Sequence, residues 1–344
     1  MYLSDFDYYL PEELIAQEPL AERDASRMLV VDRESGTWQD HSFRDFPQFL
    51  KPHDLIVVNN SRVIPARLLG RRKETGGKVE IFLVRELEPL TWEALVRPGS
   101  RLHLGARVVF GDGLLEAELL DEPGAELRDV RFYSDGPFDE ALSAVGSTPL
   151  PPYIKRPEGV SLADNERYQT VYSKPRGAIA APTAGLHFTP QALQNLRDRN
   201  QLVEITLHVG YGTFEPVRVE NVDEHRVSSE RFEISPETAA RINSTRANGG
   251  RVVAIGTTTT RALESASTED GKVVSGPGVA SLTITPGYKF RAVDMLLTNF
   301  HLPQSSLLIL VSTFAGRELI LRAYEHAVAA HYRFYSYGDC MLIV

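Results

Sequence analysis

ITLHVGYGTFEPV (205–217) and VVAIGTTTTRALES (252–265) each join a strand-like apolar run to a turn rich in glycine, histidine and threonine. The same arrangement is found in APTAGLHFT (181–189) and TNFHLPQSSLLILVSTFAG (298–316). In α/β folds, ligands bind where the backbone leaves the strands, because the sheet holds the side chains of those loops rigid. The four segments therefore predict one composite pocket at the ends of several strands.

The part of the chain before these segments has a different pattern. Between residues 59 and 149, short alternating apolar runs such as VEIFLVREL and WEALVRP are separated by the turn signals ETGG, RPGS, FGDG and DEPG. This pattern is typical of a small antiparallel barrel or sandwich. The proline-rich stretch GSTPLPPYIKR (146–156) then acts as a rigid connector, because proline cannot continue a sheet.

Beyond the connector, strands alternate with helices. Thr189-Pro190 and Ser235-Pro236 are N-cap pairs that predict helices over 189–201 and 235–250. A last helix is expected from about Glu318, and YRFYSYGDCMLIV (332–344) predicts a terminal strand. We therefore predict an α+β fold: a mixed α/β catalytic domain of residues 1–58 plus 150–344, and an inserted small antiparallel β-barrel domain of residues 59–149.

Composition narrows the class of protein. The longest apolar stretch, LLILVSTFAG from Leu307, is too short to span a membrane, and the acidic start MYLSDFDYYL is unlike a signal peptide, so we expect a soluble cytoplasmic protein. Cys340 is the only cysteine, which excludes an internal disulfide and favours a buried structural role. A net charge of −9 argues against indiscriminate coating of nucleic acid.

Two local basic clusters nevertheless lie on either side of the predicted barrel. They are a solvated face or a polyanion-binding surface, and the sequence leaves both readings open. The clusters consist of Arg62, Arg67, Arg71, Arg72, Lys73 and Lys78, and of Lys155, Arg156, Arg167, Lys174 and Arg176.

The strand-end loops carry two kinds of candidate chemistry. A glycine turn followed by Thr257 to Thr260 begins a helix, where free N–H groups and the helix dipole bind carboxylate or phosphate, although simple N-capping is an equal reading. His187, His208, His225 and His301 follow apolar runs, and at least one acid/base role is indicated. A metal-dependent hydrolase that uses these histidines stays open. A non-catalytic RNA-binding protein that uses the barrel and the basic clusters also stays open.

Together the motifs resemble the S-adenosylmethionine:tRNA ribosyltransferase-isomerase (QueA) family over almost the whole chain. The resemblance rests on IAQEPLAERDASRMLVVD, DLIVVNNSRVIPARL, PLPPYIKR, RYQTVYSKPRGAIAAPTAGLHFT, GTTTTRALES, TNFHLPQSSLLILVSTFAG and YRFYSYGDCMLI. It implies transfer of the ribosyl part of S-adenosylmethionine to the 7-aminomethyl-7-deazaguanine wobble base of a tRNA. Rearrangement of the ribose then gives epoxyqueuosine, with release of adenine and methionine.

The implied reaction assigns roles to the loop residues. A base must remove a proton from the ribosyl carbon next to the sulfonium, and an acid must help adenine leave. The resemblance implies no cofactor, with S-adenosylmethionine as co-substrate. The expected partner is the anticodon loop of the tRNA. The protein is expected to be a monomer. The assigned residues are His187, His208 and His301 for proton transfer; Thr257, Thr258 and Arg261 for the methionine carboxylate; Thr183, Gly185 and Tyr211 for the nucleoside; Asn299 for the ribose hydroxyls; and Arg62, Arg67, Arg71, Lys155, Arg156 and Arg333 for RNA phosphates.

The chain departs from the family pattern at two places. His225-Arg226-Val227-Ser228 has serine where relatives commonly have a second histidine, and Ser147 stands where they commonly have a glutamate. The chain therefore lacks that second histidine, which argues against a universal catalytic role for its position, and it lacks a carboxylate at Ser147.

Overall fold

The computed structural model describes residues 1–157 and 159–344. Its strands in chain order are β1 (Arg27–Asp32), β2 (Thr37–Ser42), β3 (Leu55–Asn59), β4 (Arg62–Val63), β5 (Arg67–Arg72), β6 (Lys78–Glu88), β7 (Thr91–Arg97), β8 (Arg107–Phe110), β9 (Leu115–Leu119), β10 (Leu127–Tyr133), β11 (Gly146–Ser147), β12 (Arg176–Ala178), β13 (Leu202–Leu207), β14 (Glu230–Ile234), β15 (Val252–Ile255), β16 (Gly276–Ala280), β17 (Met295–Asn299) and β18 (Cys340–Ile343). Its α-helices are α1 (Phe138–Val145), α2 (Leu162–Arg167), α3 (Pro190–Asp198), α4 (Pro236–Ala247), α5 (Thr257–Ser265), α6 (Ser306–Ala315) and α7 (Arg317–Ala329).

The main sheet has nine strands in the order β16-β14-β13-β3-β15-β17-β18-β1-β2. Its centre, β13-β3-β15-β17, is parallel throughout. Every residue of β3 is buried, as expected for a strand covered on both faces. Because side chains alternate along a strand, Leu55 and Val57 join the core under α4 to α7, whereas Ile56 and Val58 join the core under α3.

The second sheet is a closed six-strand antiparallel barrel, which confirms the predicted fold class. Its strands follow the order β5-β6-β7-β10-β9-β8, and the ring closes where Arg71 pairs with Val109 and Arg72 with Val108. Closure removes the free edges that a small open sheet would expose. Gly70 permits this crossing, because a Cβ there would lie 2.5 Å from the ring of Phe110 in the barrel core.

The chain passes between the two sheets through a short parallel ribbon of β4 and β12. β4 follows the central strand β3 almost directly, and β12 precedes the 181–189 loop. The division into domains at residues 59 and 149 stays a prediction. The strand pairing shows two separate large sheets, but it does not show that each sheet is an independent domain.

Local sequence signals explain the helix starts. Thr189 Oγ1 accepts a hydrogen bond from Ala192 N at 3.1 Å, and Ser235 Oγ accepts one from Thr238 N at 3.1 Å, which confirms both predicted N-caps. Helices α3 and α4 end at Asp198 and Ala247, within a few residues of the predicted ends. In the described part of the chain, no helix combines the length and apolar character needed to cross a membrane.

The predicted terminal strand is shorter than its apolar pattern indicated. Only Cys340–Ile343 is a strand, and residues 332–339 form an irregular segment in which Tyr335 has a φ of 74°. The left-handed backbone at Tyr335 is incompatible with a continuous strand. Asp339 fixes the segment by accepting hydrogen bonds from the backbone N–H groups of Arg27 and Arg333, both at 2.8 Å.

Candidate active site

The carboxyl ends of the four central parallel strands meet at one edge of the main sheet. The 208–217, 256–261 and 299–306 loops all begin there, after β13, β15 and β17. Because β18 runs antiparallel to β17 and parallel to β1, the segments that precede β18 and β1 reach the same edge. The 181–189 loop differs from the sequence-based expectation, since it follows the short ribbon strand β12 instead of a strand of the main sheet.

Two adjoining cavities open at this edge. A narrow pocket of about 60 Å³ lies over the turn at Gly256, and a wide cavity of about 400 Å³ lies beside it. Four residues line both cavities and therefore join them into one cleft: Tyr153, Thr213, Leu307 and Tyr335. The rings of Tyr153 and Tyr335 meet edge to face with their centroids 3.9 Å apart.

The hydroxyls of the four threonines at the start of α5 divide into two pairs. Thr259 Oγ1 donates to Ile255 O at 2.7 Å, and Thr260 Oγ1 donates to Gly256 O at 3.2 Å, so these two hydroxyls are satisfied by the backbone of the preceding turn. Thr257 and Thr258 instead line the narrow pocket, and Thr258 Oγ1 is buried without a hydrogen-bond partner among the described residues. The helix has no side-chain N-cap, and Gly256 has a φ of 92° that favours glycine.

His187, Ser26 and Asn299 form a buried hydrogen-bonded group next to the narrow pocket. His187 Nδ1 lies 2.7 Å from Ser26 Oγ, and Asn299 Nδ2 lies 3.3 Å from His187 Nε2. Asn299 can only donate from Nδ2, so the network assigns the proton of the neutral imidazole to Nδ1. Burial lowers the pKa of His187 to about 4, and the ring is therefore neutral at pH 7. Asn299 Oδ1 has no partner among the described residues, and Asn299 lines the narrow pocket.

His301 also lines the narrow pocket but is bound on one side. Its Nε2 lies 2.9 Å from Thr298 Oγ1, and its backbone N–H donates to Tyr324 Oη at 3.2 Å. Burial lowers the pKa of His301 to about 3. His301 is therefore a neutral group that contributes to the wall of the cleft.

His208 lies outside the walls of both cavities. It follows β13 directly, and its neighbour Val209 lines the narrow pocket, so alternation along the chain directs the histidine ring to the other side. The ring packs against Gly177, where a Cβ would lie 2.9 Å from His208 Nδ1. This placement does not favour the predicted role of His208 in proton transfer.

Arg261 already donates four hydrogen bonds to groups of the protein. Its Nη1 lies 2.6 Å from Glu230 Oε2, its Nη2 donates to Ala280 O at 2.9 Å and Ser228 O at 3.1 Å, and its Nε donates to Leu282 O at 3.3 Å. The guanidinium lines the wide cavity, away from the turn at Gly256. These bonds do not favour Arg261 as the carboxylate ligand that the sequence indicated, and they assign it a structural position beneath the cleft.

The three residues predicted for the nucleoside are dispersed. Thr183 lines the narrow pocket. Gly185 lies behind the wall, and a Cβ there would lie 2.1 Å from Tyr172 Oη, so only glycine fits. Tyr211 contacts the barrel, with its ring centroid 5.6 Å from that of Phe82.

The predicted RNA-binding residues differ in how free they are. Arg62 is exposed on β4 and has no ion-pair partner among the described residues. Arg156 binds the Asp164 carboxylate through both Nε and Nη2, with Nη2 and Oδ1 2.9 Å apart. Lys155 pairs with Glu12. Of the others, Arg67 pairs with Glu80 at 3.5 Å, Arg71 donates to Gly76 O at 3.5 Å, and Arg333 donates to Glu18 O.

Sequence reasoning missed several residues of the cleft. Ser26 gave no signal beyond a small polar residue before a strand, and its contact with His187 spans 161 residues. Tyr153 lies in the proline-rich connector, of which only Lys155 and Arg156 are assigned a role from the sequence. His225 was noticed but received no role, although it lines the wide cavity. In the described ranges, no group of three or more His, Cys, Asp or Glu side chains has the arrangement of a metal site.

The two departures from the family pattern also have defined positions. Ser228 lines the wide cavity, and its Oγ donates to Glu215 Oε2 at 3.3 Å. Ser147 lies in β11 and donates to Arg67 O at 3.2 Å, so it belongs to the edge of the barrel and lines neither cavity.

Comparison with known proteins agrees with this architecture. A family model described as a queuosine biosynthesis protein matches residues 3–343. Proteins named S-adenosylmethionine:tRNA ribosyltransferase-isomerase are 51% identical in Pelotomaculum thermopropionicum and 52% identical in Symbiobacterium thermophilum, each over 100% of both chains. A crystal structure of S-adenosylmethionine tRNA ribosyltransferase from Thermotoga maritima is 35% identical, with a TM-score of 0.55 over 99% of this chain and 100% of that one. The metal-dependent hydrolase and the non-catalytic RNA-binding protein are not supported, and the chain belongs to the S-adenosylmethionine:tRNA ribosyltransferase-isomerase family of queuosine biosynthesis enzymes.

Proposed function

We propose that this protein transfers and isomerises the ribosyl part of S-adenosylmethionine onto a 7-aminomethyl-7-deazaguanine base at the wobble position of a tRNA. The products are epoxyqueuosine in tRNA, adenine and methionine. The observation that carries the proposal, beside the family, is the cleft of two joined cavities whose walls hold the unpartnered polar atoms of Thr258 and Asn299. Such atoms are costly to bury unless a ligand pairs with them.

The sizes of the cavities suggest how the sulfonium substrate lies. The narrow pocket of about 60 Å³ is much smaller than the wide cavity and suits a small polar group such as a carboxylate. The free N–H groups at the start of α5 and the hydroxyls of Thr257 and Thr258 are donors for that carboxylate. The rest of the substrate then extends into the wide cavity of about 400 Å³, whose volume suits a small-molecule ligand.

The same arrangement supports the chemistry. Asn299 lines the narrow pocket, and its Oδ1 is free to accept a hydrogen bond from a ribose hydroxyl held where the two cavities join, while its Nδ2 remains on His187. Neutral histidines in the walls keep positive charge away from the sulfonium, which would otherwise be repelled. Holding both reactants in one cleft supplies much of the rate by proximity.

The RNA is expected to approach over the β4–β12 ribbon, between the main sheet and the barrel. Arg62 and Arg176 are register partners on that ribbon and are candidate phosphate contacts, although Arg176 also lies 3.8 Å from Asp139. A wobble base lies in an unpaired loop, so a protein can splay it without opening a duplex. A cytoplasmic location and a monomeric state remain part of the proposal.

The test is a reaction of the wild-type protein with S-adenosylmethionine and an anticodon stem-loop carrying the aminomethyl-deazaguanine base. Free adenine and the mass of the RNA are followed together. We expect equimolar adenine release and a ribosyl-derived mass gain. The matched control carries guanine at the wobble position and should give neither signal. Absence of both signals with the modified RNA, from folded protein, would refute the proposed function.

A further inference from the structure

A histidine–serine pair lies in the wall of the wide cavity. His225 Nε2 is 2.7 Å from Ser306 Oγ, and both residues line the cavity. The two residues are 81 positions apart, so the contact is made by the fold and not by local sequence. The wide cavity is the one into which the proposed function extends the substrate beyond its carboxylate.

Ser306 is not needed for capping the helix on which it lies. Ser305 Oγ accepts a hydrogen bond from Leu308 N at 3.2 Å and therefore serves as the N-cap of α6. The hydroxyl of Ser306, the first residue of the helix, is left for His225. The histidine is held in turn by its backbone N–H, which donates to Val222 O at 3.1 Å.

The other histidines of the cleft are less suited to accept a proton. Both ring nitrogens of His187 are bound to protein groups, and burial lowers the pKa of His301 to about 3, which makes it a very weak base. His208 lies outside both cavities. Among the four strand-end histidines, His225 combines contact with the wide cavity and a hydroxyl partner that can relay a proton.

We propose that His225 and Ser306 are the proton-accepting pair of the ribosyl transfer. This inference rests on the proposed function and adds the catalytic residues to it. The C–H bond of the ribosyl carbon next to the sulfonium breaks, and its electron pair stays on that carbon, stabilised by the adjacent positive sulfur. The proton passes to Ser306 Oγ while the proton of the serine passes to His225 Nε2. The serine ends neutral and the histidine ends as imidazolium.

Surrounding groups are consistent with a neutral His225 at the start of the step. Burial, with a contribution from Arg226, lowers the pKa of His225, so the ring is ready to accept a proton near neutral pH. The other charged side chains of the cavity wall are Glu215, Glu230 and Arg261, of which Glu230 and Arg261 neutralise each other. Glu215 is left as the unneutralised carboxylate in the wall that can serve as counter-charge for an imidazolium.

The test compares His225→Gln, Ser306→Ala and Ser306→Thr with the wild-type enzyme. His326→Gln, on α7 and bonded to Asp40 away from the cleft, is the matched control. Steady-state kcat and KM are measured with S-adenosylmethionine and the modified stem-loop, together with the binding of S-adenosylmethionine by calorimetry. A second substrate carries deuterium on the ribosyl carbon next to the sulfonium, so that breakage of this bond is read directly.

We expect kcat to fall about 100-fold or more in His225→Gln and Ser306→Ala, with binding of S-adenosylmethionine within about threefold of wild type. Ser306→Thr, which keeps the hydroxyl, should retain most of the rate. The kcat of wild type should rise with pH through the pKa of His225, and His225→Gln should lose this rise. The deuterium isotope effect should grow in both slow variants.

Several outcomes would overturn the pair. A kcat within threefold of wild type in folded His225→Gln would do so, as would a loss confined to KM and binding. If His225→Gln does not fold, Ser306→Ala decides the question by the same criteria. Wild-type enzyme that releases no adenine refutes the proposed function itself, whereas an active wild type with an equally active His225→Gln refutes only the catalytic pair.

Discussion

Arg261 on α5 and Glu230 at the start of β14 form a buried ion pair, with Nη1 and Oε2 2.6 Å apart. Gly210 N donates to the other oxygen of Glu230 at 2.9 Å, and three backbone carbonyls accept from Arg261. The pair therefore links the helix that begins at the narrow pocket to the loop after β13. The two side chains support the cleft from beneath. Removing either one leaves the other buried without its partner.

Replacing Arg261 by methionine should destabilise the fold. The substitution leaves the Glu230 carboxylate buried without its cation, and we expect the free energy of unfolding to fall by about 3–5 kcal/mol in urea titrations. The double variant Glu230→Gln/Arg261→Met should recover part of that loss, because neither charge is then stranded. Lys174→Met, which breaks an exposed pair with Glu204, should cost less than about 1 kcal/mol. Normal stability of Arg261→Met together with lost substrate binding would instead identify Arg261 as a ligand.

Replacing Thr258 by valine should weaken the binding of S-adenosylmethionine without harming the free protein. Its hydroxyl has no partner among the described residues, so its removal relieves an unpaired buried group in the absence of ligand. A hydrogen bond to a carboxylate contributes about 1.5–3 kcal/mol, so KM for the co-substrate should rise about tenfold or more. Thr260→Val, which loses only a bond to Gly256 O, is the matched control. Equal KM values in the two variants would contradict the carboxylate site.

Stability should fall as the pH drops below about 6.5, because His187 and His301 are buried in the neutral form. Their pKa values in the folded protein are about 4 and about 3, below the usual 6.5, so the unfolded chain binds more protons between these limits. Each group should cost on the order of 2–3 kcal/mol between pH 6.5 and 4.5. Urea unfolding of His187→Gln and His301→Gln over this range should show a shallower pH dependence than wild type. Parallel curves would show that these rings titrate normally.

Arg62 should contribute to RNA affinity through charge. With Arg62→Ala we expect weaker binding of the stem-loop and a salt dependence reduced by roughly one phosphate contact, measured by titrations at several salt concentrations. Lys272→Ala is the matched control, since Lys272 is exposed and follows α5, which runs away from the edge that carries the cleft. An unchanged salt slope in Arg62→Ala would remove this residue from the RNA surface.

Arg156→Ala should mainly lower stability, because it leaves the buried Asp164 carboxylate without its cation.

Much of the fold follows from local patterns in the sequence. Thr189 and Ser235 begin the predicted helices because a hydroxyl can satisfy the free N–H groups of the first turn. The alternating runs between residues 59 and 149 form the barrel because their apolar side chains face one interior. The pattern failed for residues 332–339, where Asp339 accepts hydrogen bonds from the backbone N–H groups of Arg27 and Arg333, and these bonds override the local preference for a strand.

The site was less accessible to sequence reasoning. A shift of a single residue along the chain decides whether a side chain lines the cleft. Val209 lines the narrow pocket, and its neighbour His208 does not. The sequence also does not show whether a charged side chain binds a ligand or another part of the protein. Arg261 forms an ion pair with the Glu230 carboxylate, which only the fold brings next to it. The pairing of His225 with Ser306 depends on two segments 81 residues apart, a distance that no local pattern bridges.

The position of β18 between β17 and β1 has a consequence for how the chain is made. Strand β1 pairs on its inner side only with residues 340–343, more than 300 residues later, and β3 lies between two strands that begin at residues 202 and 252. During synthesis, the barrel can close once residue 133 has emerged, whereas the first strand of the main sheet waits for almost all of the rest. The nascent protein therefore carries a finished barrel ahead of an unfinished sheet, and the binding cleft becomes one of the last parts to assemble.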